Sequence, residues 1–350
     1  MQLDYRLCDR QTEARVPWIV YIGAVESSEP LSARIYTLPE SVDASLDPGG
    51  SKVAANQPVR RATGPLLAAS DISAYKRDGC LIVENFIPHS TIARLRIVVD
   101  EFVAKSRSLK ENDTVFDVEP GHSRETPLVR RLKSPTLNHP VFEEIMRSDS
   151  ISDLVEPLLG DGVRYQGDKL NMKTAMVGSP VEWHQDFAFY PHTTDDLLAV
   201  GVALDDSTVE NGCLMALAGS HLGGIFDHHQ DGVFVGAISP SRAAVNLDKA
   251  VPLEIKAGDV TIHHTSLLHG SAPNRSSAPR RLWLIQYAAV SAWPLMGVRD
   301  LDFFNWSLIR GEQTTEFRIK DQKVRIPLPA AATPGTIFEV QRQARDTVYR

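Results

Sequence analysis

The stretch Val181–Tyr190, VEWHQDFAFY, decides how the rest of the chain is read. Val181, Trp183, Gln185, Phe187 and Phe189 alternate with Glu182, His184, Asp186, Ala188 and Tyr190. Period-two alternation predicts a strand, with aromatic residues on one face. On the other face His184 and Asp186 stand about 6–7 Å apart along the strand, so both can reach one ion. The same tripeptide, His-Gln-Asp, returns at His229–Asp231 within FDHHQDGVF. The chain holds 11 histidines in 350 residues, so about one His-x-Asp arises by chance and context must choose. The second copy precedes Gly232 in a polar, turn-like neighbourhood, which predicts a solvated or loop histidine. His184 and Asp186 are the better pair.

Working outward, short strands with turns between them run from residue 163: VRYQGDKLNMKTAMV, LLAVGVALDD, CLMALAGSH, VPLEIKAGDVTIHH and RRLWLIQYAAV. Helical signals precede them. HSTIARLRIVVDEFVAKSRSL has apolar residues at three- and four-residue spacing, and HPVFEEIMRSDSISDLVEPLLG reads as two shorter helices ending at Gly160. Helices first and antiparallel-looking strands after predict a helix-buttressed β-sandwich or barrel, not a βαβ sheet. The body is expected to open at SDISAYKRDGCLIVENFI, where Ser70 and Asp71 offer a helix cap and CLIVENF a strand. That division leaves 1–68 as an irregular extension, 69–300 as the main domain and 301–350 as a C-terminal extension packing on the core.

Composition narrows the function classes. A net charge of -7 and a pI near 5.9 argue against a nucleic-acid partner or an anionic membrane surface, both of which need a basic face. Three scattered cysteines, Cys8, Cys80 and Cys213, suggest neither a disulfide framework nor a zinc ribbon. The chain has no apolar run of transmembrane length and no secretory leader, so a cytoplasmic location is expected.

An iron(II) oxygenase site uses two histidines and one carboxylate on one face of an octahedron, leaving the other face open. A third ligand could come from His192, His221, His228, His263, His264 or His269. Of these His269 stands out because it directly precedes Gly270-Ser271, where backbone can approach a ligand closely. Arg280, at the entrance of the apolar strand RLWLIQY, suits bidentate capture of a carboxylate. Arg281 beside it points to the other face.

With these residues assembled, the chain resembles the phytanoyl-CoA dioxygenase family of iron(II)- and 2-oxoglutarate-dependent oxygenases. The matching stretches are KLNMKT, EWHQDFAFYPHTTDDLLAVGVAL, ENGCLMALAGSH and AGDVTIHHTSLLHGSAPNRSSAPRR, covering about residues 70–295. AGSH stands where the family more usually has Pro-Gly-Ser-His, a change in a turn and not in a ligand. The resemblance implies a mainly β fold with flanking helices around a double-stranded β-helix, a cupin-like jelly roll. It implies iron(II) held by His184, Asp186 and His269, with 2-oxoglutarate and O2 as cosubstrates. The distal carboxylate of 2-oxoglutarate would meet Arg280, assisted by Ser271. Asn171 and Lys173 would touch the cosubstrate from the preceding strand, with Lys169 on the same face. Gln185 and Phe187 would flank the substrate, and Phe189, Tyr190 and His192 would line its approach. His263 and His264 would support the ligands. The implied reaction is hydroxylation of an unactivated C–H of a small organic molecule, with release of succinate and CO2. Two alternatives are an acyl-CoA thioester 2-hydroxylase and a catalytically silent metal-binding jelly roll. The segment RRLKS at 130–134 is the one candidate for coenzyme A phosphates, and it reads more readily as a solvated face.

Overall fold

The computed structural model describes residues 59–330 and 335–349. Its strands among the described residues are β1 (Arg61–Thr63), β2 (Cys80–Glu84), β3 (Phe116–Val118), β4 (Val129–Lys133), β5 (Val163–Lys173), β6 (Val181–His184), β7 (Leu197–Ala203), β8 (Leu214–Ala216), β9 (His229–Gln230), β10 (Val233–Phe234), β11 (Val251–Leu253), β12 (Val260–His264), β13 (His269–Ser271), β14 (Arg280–Ala288) and β15 (Leu308–Arg310). A large sheet runs β1-β2-β12-β7-β14-β5-β4-β3, with β15 pairing to the start of β5. A smaller sheet runs β11-β8-β13-β6. Leu282 and Leu284 of the large sheet share an apolar cluster with Leu214, Ala216 and Leu253 of the small one. The sheets therefore pack face to face, giving the jelly roll that the strand pattern and the resemblance led us to expect.

The helices cover the other face of the large sheet. Helix His89–Lys105 buries Ile92, Leu95, Val99 and Phe102, the apolar stripe that its sequence spacing predicts. Helix Asp149–Leu159 starts at the Ser148 hydroxyl, which accepts from the Ile151 N–H. It ends at Gly160, as expected. Helix Ala69–Asp78 begins before either expected cap, with Ala68 as its N-cap. Asp71 lies inside its first turn and accepts from the Ala68 N–H at 3.0 Å.

Strand β14 shows how sequence alternation divides the interior. Trp283, Ile285 and Tyr287 join the helix-side core with Phe142, Met146 and Leu154. The Trp283 and Phe142 rings meet edge to face at 4.9 Å, a geometry that adds about 0.5–1.5 kcal/mol beyond the buried area. Leu282 and Leu284 turn the opposite way, toward the small sheet. So does Arg280, while Arg281 turns outward to Asp205 (2.7 Å) and Asp100 (2.9 Å).

Three boundaries move. Residues 61–63 are an edge strand in parallel register with β2, Arg61 opposite Ile82, so the body starts before 69. The rest of the expected N-terminal extension lies outside the described residues. At the other end, β15 does more than pack on the core, because it pairs with β5. The strand expected over 181–190 stops at His184, and Asp186–Ala188 is a single 3-10 turn. Its aromatic alternation does not mark one face. Trp183 enters one apolar cluster and Phe187 another, while Phe187 N bonds to Thr265 O and draws the chain out of the sheet.

Candidate active site

His184 ends β6 and His269 begins β13, and the two residues face each other across the small sheet. Their rings lie 4.2 Å apart. Asp186 comes back toward them on the 3-10 turn, its Oδ1 3.6 Å from His184 Nε2. One ligand atom from each of the three residues lies within 4.8 Å of the others, and all three residues are buried. Nδ1 of His184 sits 2.8 Å from Glu182 O and Nδ1 of His269 sits 2.9 Å from Leu267 O. A carbonyl can only accept, so each Nδ1 carries a proton, which leaves Nε2 as the atom through which either ring would bind a metal. Burial, followed by the neighbouring rings of His184 and His263, pushes the His269 pKa well below its usual value, which keeps the ring neutral. Burial alone would raise the Asp186 pKa; the Lys169 ammonium and the neighbouring His184, His263 and His269 rings outweigh it and hold the carboxyl well below its usual range. Two imidazoles and one carboxylate whose ligand atoms converge within 4.8 Å are a donor set that fits iron(II).

The neighbours of this cluster form one cavity. Arg280 is 3% exposed and reaches in from β14. Its Nη2 donates to Gly212 O at 2.7 Å and to Ser271 Oγ at 3.0 Å, while Ser271 Oγ donates to the same Gly212 carbonyl at 2.8 Å. The Nε of Arg280 is buried without a partner, so the guanidinium is held in place yet keeps a free donor. Burial lowers its pKa to about 10. Lys169, Asn171 and Lys173 line the same cavity. Lys173 Nζ already donates to Ser179 O at 2.6 Å and Ala272 O at 2.7 Å, and Asn171 Oδ1 accepts from Arg131 Nε at 3.0 Å. Lys169 Nζ stands 3.5 Å from Asp186 Oδ1.

Two expected substrate contacts face elsewhere. Gln185 is fully buried; its amide donates to Ser266 O (2.7 Å) and Gly224 O (3.3 Å) and accepts from Phe226 N (2.8 Å), pinning loops instead of lining the cavity. Phe187 belongs to the helix-side core. Among the other histidines, His228 fixes the ligand turn by accepting from Gln185 N at 2.8 Å. His192 lies between Tyr190 O and Gln166, and His264 accepts from Ser266 N. His221 sits against Lys76 O. His263 approaches Asp186 Oδ2 at 3.7 Å and its two ring nitrogens have no hydrogen-bond partner. The second His-Gln-Asp copy is a hairpin. His229 and Gln230 pair with Phe234 and Val233, and Asp231 and Gly232 form the two-residue turn with φ of 50° and 79°. His229 is nonetheless buried, held by Asp227 and Leu328 O.

The segment 130–134 is not a solvated face. Arg130 and Arg131 are 2% and 5% exposed, and both guanidiniums lie on the Phe338 ring at 4.6 and 4.8 Å. Phe338 sits in helix Ile337–Gln341, beyond the stretch that carried the resemblance. That helix, with Ile337 and Phe338 lining the cavity, closes the side of the site next to β6. From sequence the tail beyond about residue 300 reads as loop plus a terminal helix; the helix is present, but nothing in its sequence placed it at the cavity.

Comparison with known proteins agrees with this arrangement. The phytanoyl-CoA dioxygenase (PhyH) family matches residues 75–282. A probable alpha-ketoglutarate-dependent hypophosphite dioxygenase of Stutzerimonas stutzeri is 34% identical over 79% of this chain and 97% of its own. The L-proline trans-4-hydroxylase of Streptomyces griseoviridis is 30% identical over 68% of this chain and 91% of its own. The iron-bound crystal structure of EctD from S. alaskensis superposes with a TM-score of 0.56 at 25% identity, covering 79% of this chain and 92% of that one. Among the described residues no helix is long and apolar enough to cross a membrane. The chain belongs to the phytanoyl-CoA dioxygenase family of iron(II)- and 2-oxoglutarate-dependent dioxygenases.

Proposed function

We propose that His184, Asp186 and His269 hold iron(II), that Arg280 and Ser271 anchor 2-oxoglutarate, and that the enzyme hydroxylates an unactivated C–H of a small molecule. The observation that carries this reading is the meeting of three ligand atoms within 4.8 Å, next to a buried arginine with a free donor. When bound, iron supplies the oxygen-activating redox chemistry that turns 2-oxoglutarate into succinate and CO2. The chain's own share is orientation and exclusion of water. The two Nδ1–carbonyl bonds aim the imidazole Nε2 atoms. The Gly212 carbonyl and Ser271 fix the fork of Arg280 for a carboxylate. Asn171 and Lys173 border the cosubstrate space, and Lys173, with two of its three N–H donors tied to carbonyls, has its ammonium position fixed there.

A second reading is oxidation of a P–H bond. It is favoured by the relative named as a hypophosphite dioxygenase, nearly all of whose length this chain matches. Coenzyme A thioesters have less support, because the one basic run that might meet their phosphates is buried.

Anaerobic addition of iron(II) and 2-oxoglutarate tests the site directly. A visible metal-to-ligand absorption band is expected, lost in His184→Ala, weakened in Arg280→Ala and kept in His229→Ala. Loss in His229→Ala with retention in His184→Ala would reverse the choice between the two copies. Succinate release with hypophosphite, amino acids and acyl-CoA thioesters then separates the substrate classes.

A further inference from the structure

The second His-Gln-Asp copy takes no part in the metal cluster, yet His229 and Gln230 are buried. What they hold is the C-terminal chain. Gln230 Oε1 accepts from Arg345 N at 2.7 Å and from Asp346 N at 3.1 Å, and its Nε2 donates to Asp346 O at 3.0 Å. One side-chain amide thus serves as backbone partner for residues 115 and 116 positions downstream. Beside it, His229 Nε2 stands 3.1 Å from Leu328 O. The pinned residues closely follow helix Ile337–Gln341, which presents Ile337 and Phe338 to the cavity. That helix is moored by Gln341, whose amide accepts from Glu182 N at 2.9 Å and donates to Gly236 O at 2.8 Å. Past Asp346, Val348 N and Tyr349 N donate to the Glu182 carboxylate at 2.9 and 3.0 Å. On the other flank Glu339 pairs with Arg130.

The β9–β10 hairpin also reaches the metal ligands through a run of rings. His229 meets Phe234 at 5.4 Å, Phe234 meets Phe189 at 5.1 Å and Phe189 meets His184 at 5.7 Å, each edge to face. Val340 of the helix packs in the same apolar cluster as Phe234. Helix, hairpin and first metal ligand are therefore one packed unit. Within it the bonds of Gln230 can be exchanged for bonds to water, so their net contribution is modest and their release is within thermal reach.

We propose that the second copy is the clasp of an active-site cap: Gln230 is a positioning residue that seats helix Ile337–Gln341 beside the metal ligands, and release of its three bonds opens the cavity for exchange. The seating stands on the contacts alone, whereas the exchange of iron and cosubstrate rests on the iron and 2-oxoglutarate reading above.

Two measurements on the full chain test this. Amide hydrogen exchange of the metal-free protein reads the cap, and anaerobic transfer of iron(II) to ferrozine, with 2-oxoglutarate present, reads the cavity. In Gln230→Ala the Val340 and Gln341 amides exchange about 10- to 100-fold faster than in wild type, the effect of losing two or three hydrogen bonds, and iron(II) leaves faster by a similar factor. The 2-oxoglutarate affinity, read from the absorption band, stays within about threefold, because opening speeds entry and exit alike and no anchor of the cosubstrate has been lost. Gln230→Glu keeps the acceptor for both N–H groups and loses only the donor, so it shows a smaller acceleration of both rates. Leu95→Ala, on the helix side of the large sheet, costs stability but leaves both rates near wild type. Three results overturn the proposal: the Val340 and Gln341 amides of Gln230→Ala exchange as in wild type; Leu95→Ala accelerates them equally, which makes the effect general instability; or they accelerate while iron(II) release does not, which makes the clasp purely structural. Absence of the absorption band in the wild type is a separate result that sinks the iron reading, and amide exchange still decides whether Gln230 seats the cap.

Discussion

Gly212 offers a way to disturb the cosubstrate anchor without touching a charged residue. Its φ is +80°, and an added Cβ would stand 2.3 Å from the backbone oxygen of Ala272. A left-handed non-glycine residue costs about 1–2 kcal/mol. Relieving an overlap with main chain costs about 1–3 kcal/mol more, since no flexible side chain can give way. Gly212→Ala is therefore expected to lose ~2–5 kcal/mol and roughly 5–10 °C of melting temperature. The same carbonyl that accepts from Arg280 Nη2 and Ser271 Oγ belongs to this residue, so the shift loosens the arginine fork. Affinity for 2-oxoglutarate, read anaerobically from the iron absorption band, should fall about tenfold or more. Gly224 is the control: an added Cβ there meets nothing within 4 Å, and Gly224→Ala should stay within about 0.5 kcal/mol of wild type. If Gly212→Ala matched Gly224→Ala in both melting and 2-oxoglutarate binding, the Gly212 carbonyl would not be what positions Arg280.

Further outcomes follow from other parts of the structure. Buried His192, His228 and His264 have pKa values lowered by burial to about 4, 3 and 3. Depressed values mean that the unfolded chain takes up protons first, so their stabilising effect is complete above about pH 6.5 and drains away as pH falls toward 4, at ~2 kcal/mol per histidine by pH 5. Urea unfolding at pH 7 and pH 5 should show that drop, with a shallower slope in His192→Gln. His263→Leu removes the ring 3.7 Å from Asp186 Oδ2; iron(II) affinity, measured by chelator competition, should weaken about 10- to 100-fold. Phe338→Ala strips the ring from beneath Arg130 and Arg131 and should cost ~3–4 kcal/mol, with succinate release becoming uncoupled from product formation. An unchanged coupling ratio would separate the C-terminal helix from catalysis.

What the sequence disclosed and what it concealed follow from local and distant causes. The His184–Asp186 pair was legible because both residues lie on one short stretch, and the helix stripe of Ile92, Leu95, Val99 and Phe102 because period alone determines it. The end of β6 was not legible. Trp183 and Phe187 look like one alternating face, yet each is claimed by a different apolar cluster. Gln185 resembled a substrate contact by its place between two ligands, but its partners, Gly224, Phe226 and Ser266, are about 40 and 80 positions away, separations set by the fold alone. Arg131 was hidden for the same reason. A charged run reads as surface unless one knows that Phe338 lies against it, and no pattern around residue 130 announces a ring 200 positions downstream.

The paired arginines at the head of β14 carry one more consequence. Because Arg280 and Arg281 are chemically identical neighbours, a shift of one position would hand either role to the other. Nothing in the guanidinium itself decides which of them faces the iron cluster and which the Asp205 carboxylate. That decision is made downstream by Leu282, Trp283, Leu284 and Ile285, whose bulk fits the two cores in only one phase. Insertion or loss of a single residue just before Arg280 would therefore leave the β14 core intact. Chain variation there is tolerated only in forms that deliver an arginine at the same beat as those side chains.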